Sequence, residues 1–462
     1  MSRENAIKNA EELFDSGAFF NLLAKRVAYQ SESQEESQSA ESQAYLSKEM
    51  VPYLEAWGFV CHILENPEMK RLPMLAAVRH EGDNLPTVLT YGHGDTVRAM
   101  TERWREGFTP WELKKDGERW YGRGSADNKG QHTINLCALE AVLKAKGSLG
   151  FNTKVLIEIG EEMGSPGLHA VCARHKELLS ADVLIGSDGP RIEPGKPTIF
   201  GGSRGVINFD LEVNLRDGGH HSGNWGGLLA NPGVILANAI SSLIDQNGVI
   251  QVAGLKPSEI PASVRNVLAE LEVTGEGGPA LDLDWGEPGL TPAEKVYGYS
   301  TLEVLAFTCG NPAAPAHAIP DKAAARIHMR FTRDLDSSTF QQIIRKHLDD
   351  KGFGKVKLHT VAEGSMQATR LDPGNPWSKW AVASITRSMG RPPAVLPNLG
   401  GSLPNDAFTD ILGLPTVWVP HSYGGCSQHA PDEHVLESIM RQGLQIMAGL
   451  FWDLGEQGLP AE

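Results

Sequence analysis

Short apolar runs alternating with longer helical patterns limit this chain's folding options more than any other feature. TVLTY at 87–91, KVLIEI at 154–159 and DVLIG at 182–186 are rich in aliphatic and β-branched residues and too short for helices. Between them lie patterns such as HTINLCALEAVLKAKG, where Gly147 is placed to cap a helix. Strands alternating with helices predict an α/β fold whose mixed, mainly parallel sheet is covered on both faces. Near Ser203 the rhythm changes. INFDLEVNL alternates cleanly, and AAARIHMRF, a helix-like DSSTFQQIIRKHLDD and the strand-like KVKLHTV follow before the α/β pattern resumes with PWSKWAVASITRSMG and LGLPTVWVP. The expected organisation is therefore a first domain in two parts, 1–202 and 369–462, interrupted by an inserted α+β unit at 203–368. A chain of 462 residues is long enough for two cores. SESQEESQSAESQ at 31–43 reads as a solvated loop before the helix YLSKEMVPYLEAWGF, and TGEGGPALDLDWGEPGLTP at 274–292 reads as loops within the insert.

The run KVLIEI leads into adjacent glutamates, Glu161 and Glu162. Two carboxylates at the end of a buried strand repel each other unless a cation joins them. The other strand-like runs end in residues that can supply the remaining ligands: TVLTY in GHGD (His93, Asp95), DVLIG in SDG (Asp188), and TVWVP, through HSYGGCSQ, in His429. Open α/β sheets build their sites outside the carboxyl ends of the strands. Asp127, in the Gly-rich turn GRGSADNKG, reads equally as a helix N-cap or a fifth ligand. His93 alone would pass for a structural histidine, but a carboxylate two residues on, Asp95, can hold its ring in one tautomer. Histidine nitrogen and carboxylate oxygen without cysteine point to zinc, with manganese or cobalt as substitutes. Two histidines and three carboxylates exceed one open tetrahedral site and suit two ions about 3.5–4 Å apart sharing one carboxylate.

The balance of 42 basic against 57 acidic residues, net −15, argues against nucleic acid or an anionic membrane as the main partner. Five scattered cysteines and a polar N-terminal stretch lead to the expectation of a cytoplasmic protein.

In order along the chain, GHGDTV, the W-x-x-x-F-x-P region at Trp104 to Pro110, GRGSADNKG, EIGEEMGSPG, GSDG, HHSG, AIPDKAAARIHMR, GGSLP and QHAPDEH resemble the co-catalytic zinc amidohydrolases and exopeptidases. That family includes glutamate carboxypeptidase, acetylornithine deacetylase, succinyl-diaminopimelate desuccinylase, aminoacylase and carnosinase. The resemblance implies two zinc ions, one held by His93 and Asp188, the other by Glu162 and His429, with Asp127 bridging. It implies Glu161 as general base, Asp95 behind His93, and a cis peptide after Asp127. It also implies an inserted lid, ferredoxin-like, that joins two subunits and lends His221 to the neighbouring site, with Arg330 gripping a substrate carboxylate beside Gly400, Gly401 and Ser402. The expected reaction is hydrolysis of an amide bond in a dipeptide or N-acyl amino acid. His220, just before His221, leaves two histidines for one role. Without the resemblance, His221 reads as a surface histidine and Arg330 as half of a surface salt bridge. The long segment between Ile244 and Thr301 and an aspartate at 188 lean toward the dipeptidase branch. A two-metal phosphoesterase and a non-catalytic binding relative are the competing classes.

Overall fold

In the computed structural model, which describes residues 2–273 and 279–460, the apolar runs become the middle of an eight-stranded sheet. The framing strands are, in chain order, β1 (Val60–Leu64), β2 (Met74–Arg79), β3 (Thr87–His93), β4 (Asn152–Glu158), β5 (Val183–Gly186) and β6 (Thr198–Phe200). Next come β7 (Gly205–Asn214), β8 (Thr301–Thr308), β9 (Lys322–Phe331) and β10 (Lys357–Met366) of a second sheet, and then β11 (Ala394–Leu396) and β12 (Thr416–Trp418). The large sheet runs β1-β2-β4-β3-β5-β12-β6-β11. Its central strands β4, β3, β5 and β12 pair in parallel, so their carboxyl ends open on one edge. Helices α1 (Arg3–Asp15), α2 (Lys129–Lys146) and α6 (Glu437–Gln457) pack together over one face. Nearly every residue of α2 from Lys129 to Leu143 is buried, which explains why its sequence lacks a polar stripe. Gly147 ends it in a left-handed conformation, as its position predicts.

The second sheet is antiparallel in the order β8-β9-β7-β10. With α3 (Pro232–Leu243) after β7, α4 (Phe340–Asp350) after β9 and α5 (Pro376–Met389) back over the large sheet, the order βαββαβ is ferredoxin-like. One face buries Phe209, Leu211, Ile327 and Met329 against Leu236, Leu243, Phe340 and Ile344. Because side chains alternate along a strand, the other face presents Val206, Asn208, His328 and Arg330 to a cleft shared with the large sheet's open edge. Strand β8 ends the sheet, with Val304, Leu305 and Phe307 exposed.

Where the chain passes between the sheets, its two crossings lie side by side. Thr369 donates its N–H to Ser203 O at 2.9 Å, and Leu371 to Gly201 O at 2.8 Å. A Cβ on Gly202 would lie 2.4 Å from Thr369 O, so only glycine fits between the crossings.

The structure departs from the sequence reading at the serine-rich segment. Glu36–Gln38 and Ser39–Ala44 are helical, and they continue into Tyr45–Met50 and Val51–Ala56. Its polar side chains are tied down: Ser31 donates to Gly94 O at 2.5 Å, and Glu32 accepts the Ala99 N–H at 2.6 Å. Low complexity here reflects hydrogen bonding to the loop after β3, where a freely solvated loop was expected. Of the loop-like stretch at 274–292, residues 274–278 lie outside the described residues.

Candidate active site

Strand ends deliver the candidate ligands to one place. His93 is the last residue of β3 and fully buried. Its Nε2 lies 3.0 Å from Asp127 Oδ1 and 3.7 Å from Asp188 Oδ2. On the far side of Asp127, His429 Nε2 lies 3.1 Å from Asp127 Oδ2 and 2.9 Å from Glu162 Oε2. Two groups able to hold a metal ion result, His93–Asp127–Asp188 and Asp127–Glu162–His429, and Asp127 belongs to both. Glu161 belongs to neither, although its Oε2 lies 3.9 Å from His93 Nε2. The glutamate pair does not end the strand itself. Strand β4 stops at Glu158, and a tight turn, Glu161–Met163, carries both carboxylates.

The electrostatics of this cluster are those of an acidic cage. Burial pushes the carboxyls of Glu162 and Asp188 each up to about 7, with the charge of Asp127 adding to it. Burial also raises Glu161 well above the usual carboxylate range, and Glu162 and Asp188 add to the shift. Asp127 is buried too, but its bonds to His429 and His93 outweigh burial and hold it low. Asp188 Oδ2 is buried without a hydrogen-bond partner. Crowded carboxylates, an orphaned carboxylate oxygen and two imidazoles form the donor set that a pair of divalent cations satisfies.

Asp127 is not an N-cap: Asn128 occupies that position ahead of α2, and its side chain donates to Ser187 O at 2.8 Å. The peptide Asp127-Asn128 is cis, as the resemblance implies. Asp95, fully buried, has Oδ1 3.3 Å from His93 Nδ1. It also accepts the N–H groups of Glu161 and Glu162 at 3.2 and 3.1 Å, so one carboxylate fixes a histidine and the glutamate turn together. The sequence suggests only the first of these contacts.

Glu433 was not singled out. Its buried carboxylate accepts from Arg123 Nη1 at 2.8 Å and from the N–H groups of Gly124, Ala126 and Asp127 at 3.0, 2.9 and 3.1 Å, which sets the shape of the GRGSAD turn. The signal was present in QHAPDEH, a motif read there for His429. Glu158 was missed as well. It accepts from Tyr91 and Ser165 hydroxyls at 2.6 and 2.9 Å, and burial, with Asp95 adding, raises it to about 7.

The cleft, about 600 Å³, joins Glu161, Glu162 and His429 to Asn208, His328, Arg330 and Ser402 of the facing wall. Arg330 donates to Ser402 Oγ at 2.8 Å, and Ser402 donates to Arg204 O at 2.6 Å. Gly401 links Ser402 to Gly400, whose carbonyl accepts from Arg204 Nε at 2.8 Å. Burial, with Arg330 and Arg204 nearby, lowers His328 to about 4, so its ring is neutral at pH 7. His221 is not brought to the cluster. It is exposed, in a two-residue strand pairing with Ala318–Ile319, and His220 next to it stacks edge-on with Trp225.

Residues 89–453 match the model of peptidase family M20/M25/M40. The chain belongs to this family. Among its M20 relatives, the cysteinylglycine-S-conjugate dipeptidase of Corynebacterium striatum is 25% identical over 346 residues, covering 74% of this chain and 75% of that protein. The beta-Ala-His dipeptidase of Homo sapiens is 25% identical over 418 residues, covering 84% and 80%. In fold, the chain matches the di-peptidase Dug1p of Saccharomyces cerevisiae with a TM-score of 0.81 at 22% identity, over 99% of each chain. M20 membership makes the chain a metal-dependent peptidase and does not favour the phosphoesterase and binding-module alternatives.

Proposed function

We propose that this M20 peptidase is a two-zinc dipeptidase that cleaves small peptides carrying a free C-terminal carboxylate. The observation that carries the reading is the pair of ligand groups sharing Asp127, with Glu161 left over beside them. His93 and Asp188 would hold one ion and Glu162 and His429 the other, with Asp127 between. Bound there, zinc supplies Lewis-acid polarisation of the scissile carbonyl and a water of lowered pKa. Glu161 takes the proton of the attacking water and returns it to the departing amine, which suits a buried carboxyl whose proton affinity is raised. Asp95 does not meet the substrate; it positions the ring of His93 and the turn that carries Glu161.

Arg330 and Ser402 receive the substrate carboxylate, the guanidinium fork favouring two-point pairing. Gly401 joins Ser402 to Gly400, where a Cβ would lie 2.9 Å from Val296 Cγ1. The names of the relatives, a cysteinylglycine-S-conjugate dipeptidase and a beta-Ala-His dipeptidase, support a dipeptide over a longer chain. His221 completes the site of a partner subunit in a homodimer formed through the second sheet. Its exposure away from its own cluster and the apolar free edge β8 support this arrangement. A cytoplasmic location agrees with five unpaired cysteines. Among the described residues, no helix is long and apolar enough to cross a membrane.

The test is zinc-loaded protein assayed on dipeptides, their C-terminal amides, N-acyl amino acids and a phosphate ester. Dipeptides with free carboxylates should be cleaved fastest. Cleavage of N-acyl amino acids with none of dipeptides would make the enzyme a deacylase instead.

A further inference from the structure

A second cavity, of about 200 Å³, opens beside the cleft, and Arg204, Trp285, Tyr299, Ser300 and Glu303 are among its lining. It lies one strand further along the same sheet face, since Thr301 and Glu303 of β8 stand opposite Arg330 and His328 of β9. Arg204 is only 7% exposed. It donates from Nε to Gly400 O at 2.8 Å and from Nη1 to Tyr299 O at 3.4 Å, and no carboxylate pairs with it among the described residues. A buried guanidinium left without a counter-charge is costly. Burial, with Arg330 alongside, pushes it down to about 9.

Two further groups of the lining have no partner in contact. The hydroxyl of Ser300, a residue 5% exposed, is buried with no partner. Glu303, at the mouth, has no ion pair either; burial raises its carboxyl and the charge of Arg204 opposes the rise. The other charged groups of the lining lie nearer the surface and are already bonded. Lys295 Nζ donates to the carbonyls of Trp285 and Leu283 at 2.6 and 3.3 Å, and Glu287 pairs with Lys256 at 3.1 Å. What remains is a buried guanidinium with no carboxylate in contact, an exposed carboxylate at the mouth that it feels only through space, a free buried hydroxyl and an indole wall.

We propose that this cavity binds a free small α-amino acid, with its carboxylate on Arg204 and Ser300, its ammonium on Glu303 and its side chain along Trp285. A simple anion would satisfy Arg204 and leave Glu303 unpaired, whereas a zwitterion satisfies both. Arg204 also supports the loop that carries Ser402, which in turn accepts from Arg330, so an occupant here touches the same framework as the carboxylate grip of the cleft. The inference stands apart from the proposed reaction, because binding is read directly.

Arg204→Gln would disturb that loop, so the test uses the mouth residue. Calorimetric titration of the full chain with glycine and alanine, and with acetate and methylammonium as half-molecules, is compared in wild type, Glu303→Gln and Arg330→Ala. Glycine should keep saturable binding in Arg330→Ala and bind Glu303→Gln roughly tenfold more weakly than wild type, as loss of one charge-assisted contact implies. Acetate should bind more weakly than glycine and should not be weakened by Glu303→Gln. Glycine binding lost in Arg330→Ala but kept in Glu303→Gln would place it in the cleft and overturn the proposal. So would equal binding of acetate and glycine, or no saturable binding of either amino acid.

Discussion

Adjacent glutamates with opposite duties are the most testable feature at the scale of single residues. Glu162 is 2.9 Å from His429 and belongs to a ligand group, whereas Glu161 does not. Glu161→Gln should retain metal near the wild-type content and lose turnover by about three orders of magnitude or more, the scale of a positioned base. Glu162→Gln should lose metal, as read by metal analysis after dialysis. The reverse pattern would exchange the two roles. Arg330→Ala should cost free-carboxylate substrates roughly a hundredfold in kcat/KM and leave their amides almost unchanged, since only the former offer an anion to the guanidinium. Equal losses would remove Arg330 from substrate recognition. At this scale the sequence was largely legible for the residues that the structure brings together, because His93 ends β3, Asp188 follows β5 and the glutamate turn follows β4, whereas Asp127 stands in a Gly-rich turn and His429 well beyond β12. It was not legible for Asn208 and His328, since alternation along a strand tells that two faces differ but not which one meets the cleft.

Turns and helices show where sequence patterns stop informing. The GRGSAD turn is shaped by Glu433, about 300 residues away along the chain, and no local signal announces such a partner. Glu433→Ala should strand a buried Arg123 and three N–H groups, lowering stability by about 3–5 kcal/mol. It should also weaken metal binding, because Asp127 is the last residue of that turn. A denaturant midpoint unchanged within error would mean that the turn holds its shape without Glu433. The serine-rich segment failed as a loop for a related reason. Propensity weighs serine and glutamate as solvated, whereas Ser31 and Glu32 are bonded to the loop after β3 and residues 36–44 are helical. The change from long helical patterns to clean alternation made an α+β unit legible, whereas its ferredoxin-like order rested on the resemblance, since neither α3 nor β8 was read from the pattern.

For the whole molecule, the free edge β8 carries Leu305 at 59% and Phe307 at 44% exposure, an uncovered apolar strand of the kind that proteins seldom leave to water. If the proposed dimer forms along β8, Leu305→Glu should shift it to monomer in sedimentation and reduce turnover in parallel. A monomeric variant of full activity would sink the shared-site reading. His221→Ala and Glu161→Gln should each be inactive. Refolded together, they should regain roughly a quarter of wild-type activity, because half the dimers are mixed and each mixed dimer has one complete site. No recovery in a mixture containing mixed dimers would return His221 to its own chain or to no role.

The chain leaves the large sheet at Gly201 and comes back at Leu371 across one hydrogen bond. The intervening stretch is therefore a detour that begins and ends at the same spot. Both ligand groups lie on the shorter route. Replacing residues 205–366 by a brief glycine linker would splice the route where it already touches itself. Such a shortened chain should still take up two zinc ions in equilibrium dialysis while hydrolysing nothing. Metal capture and the proposed base would then belong to the shorter route, and the grip on the substrate to the detour.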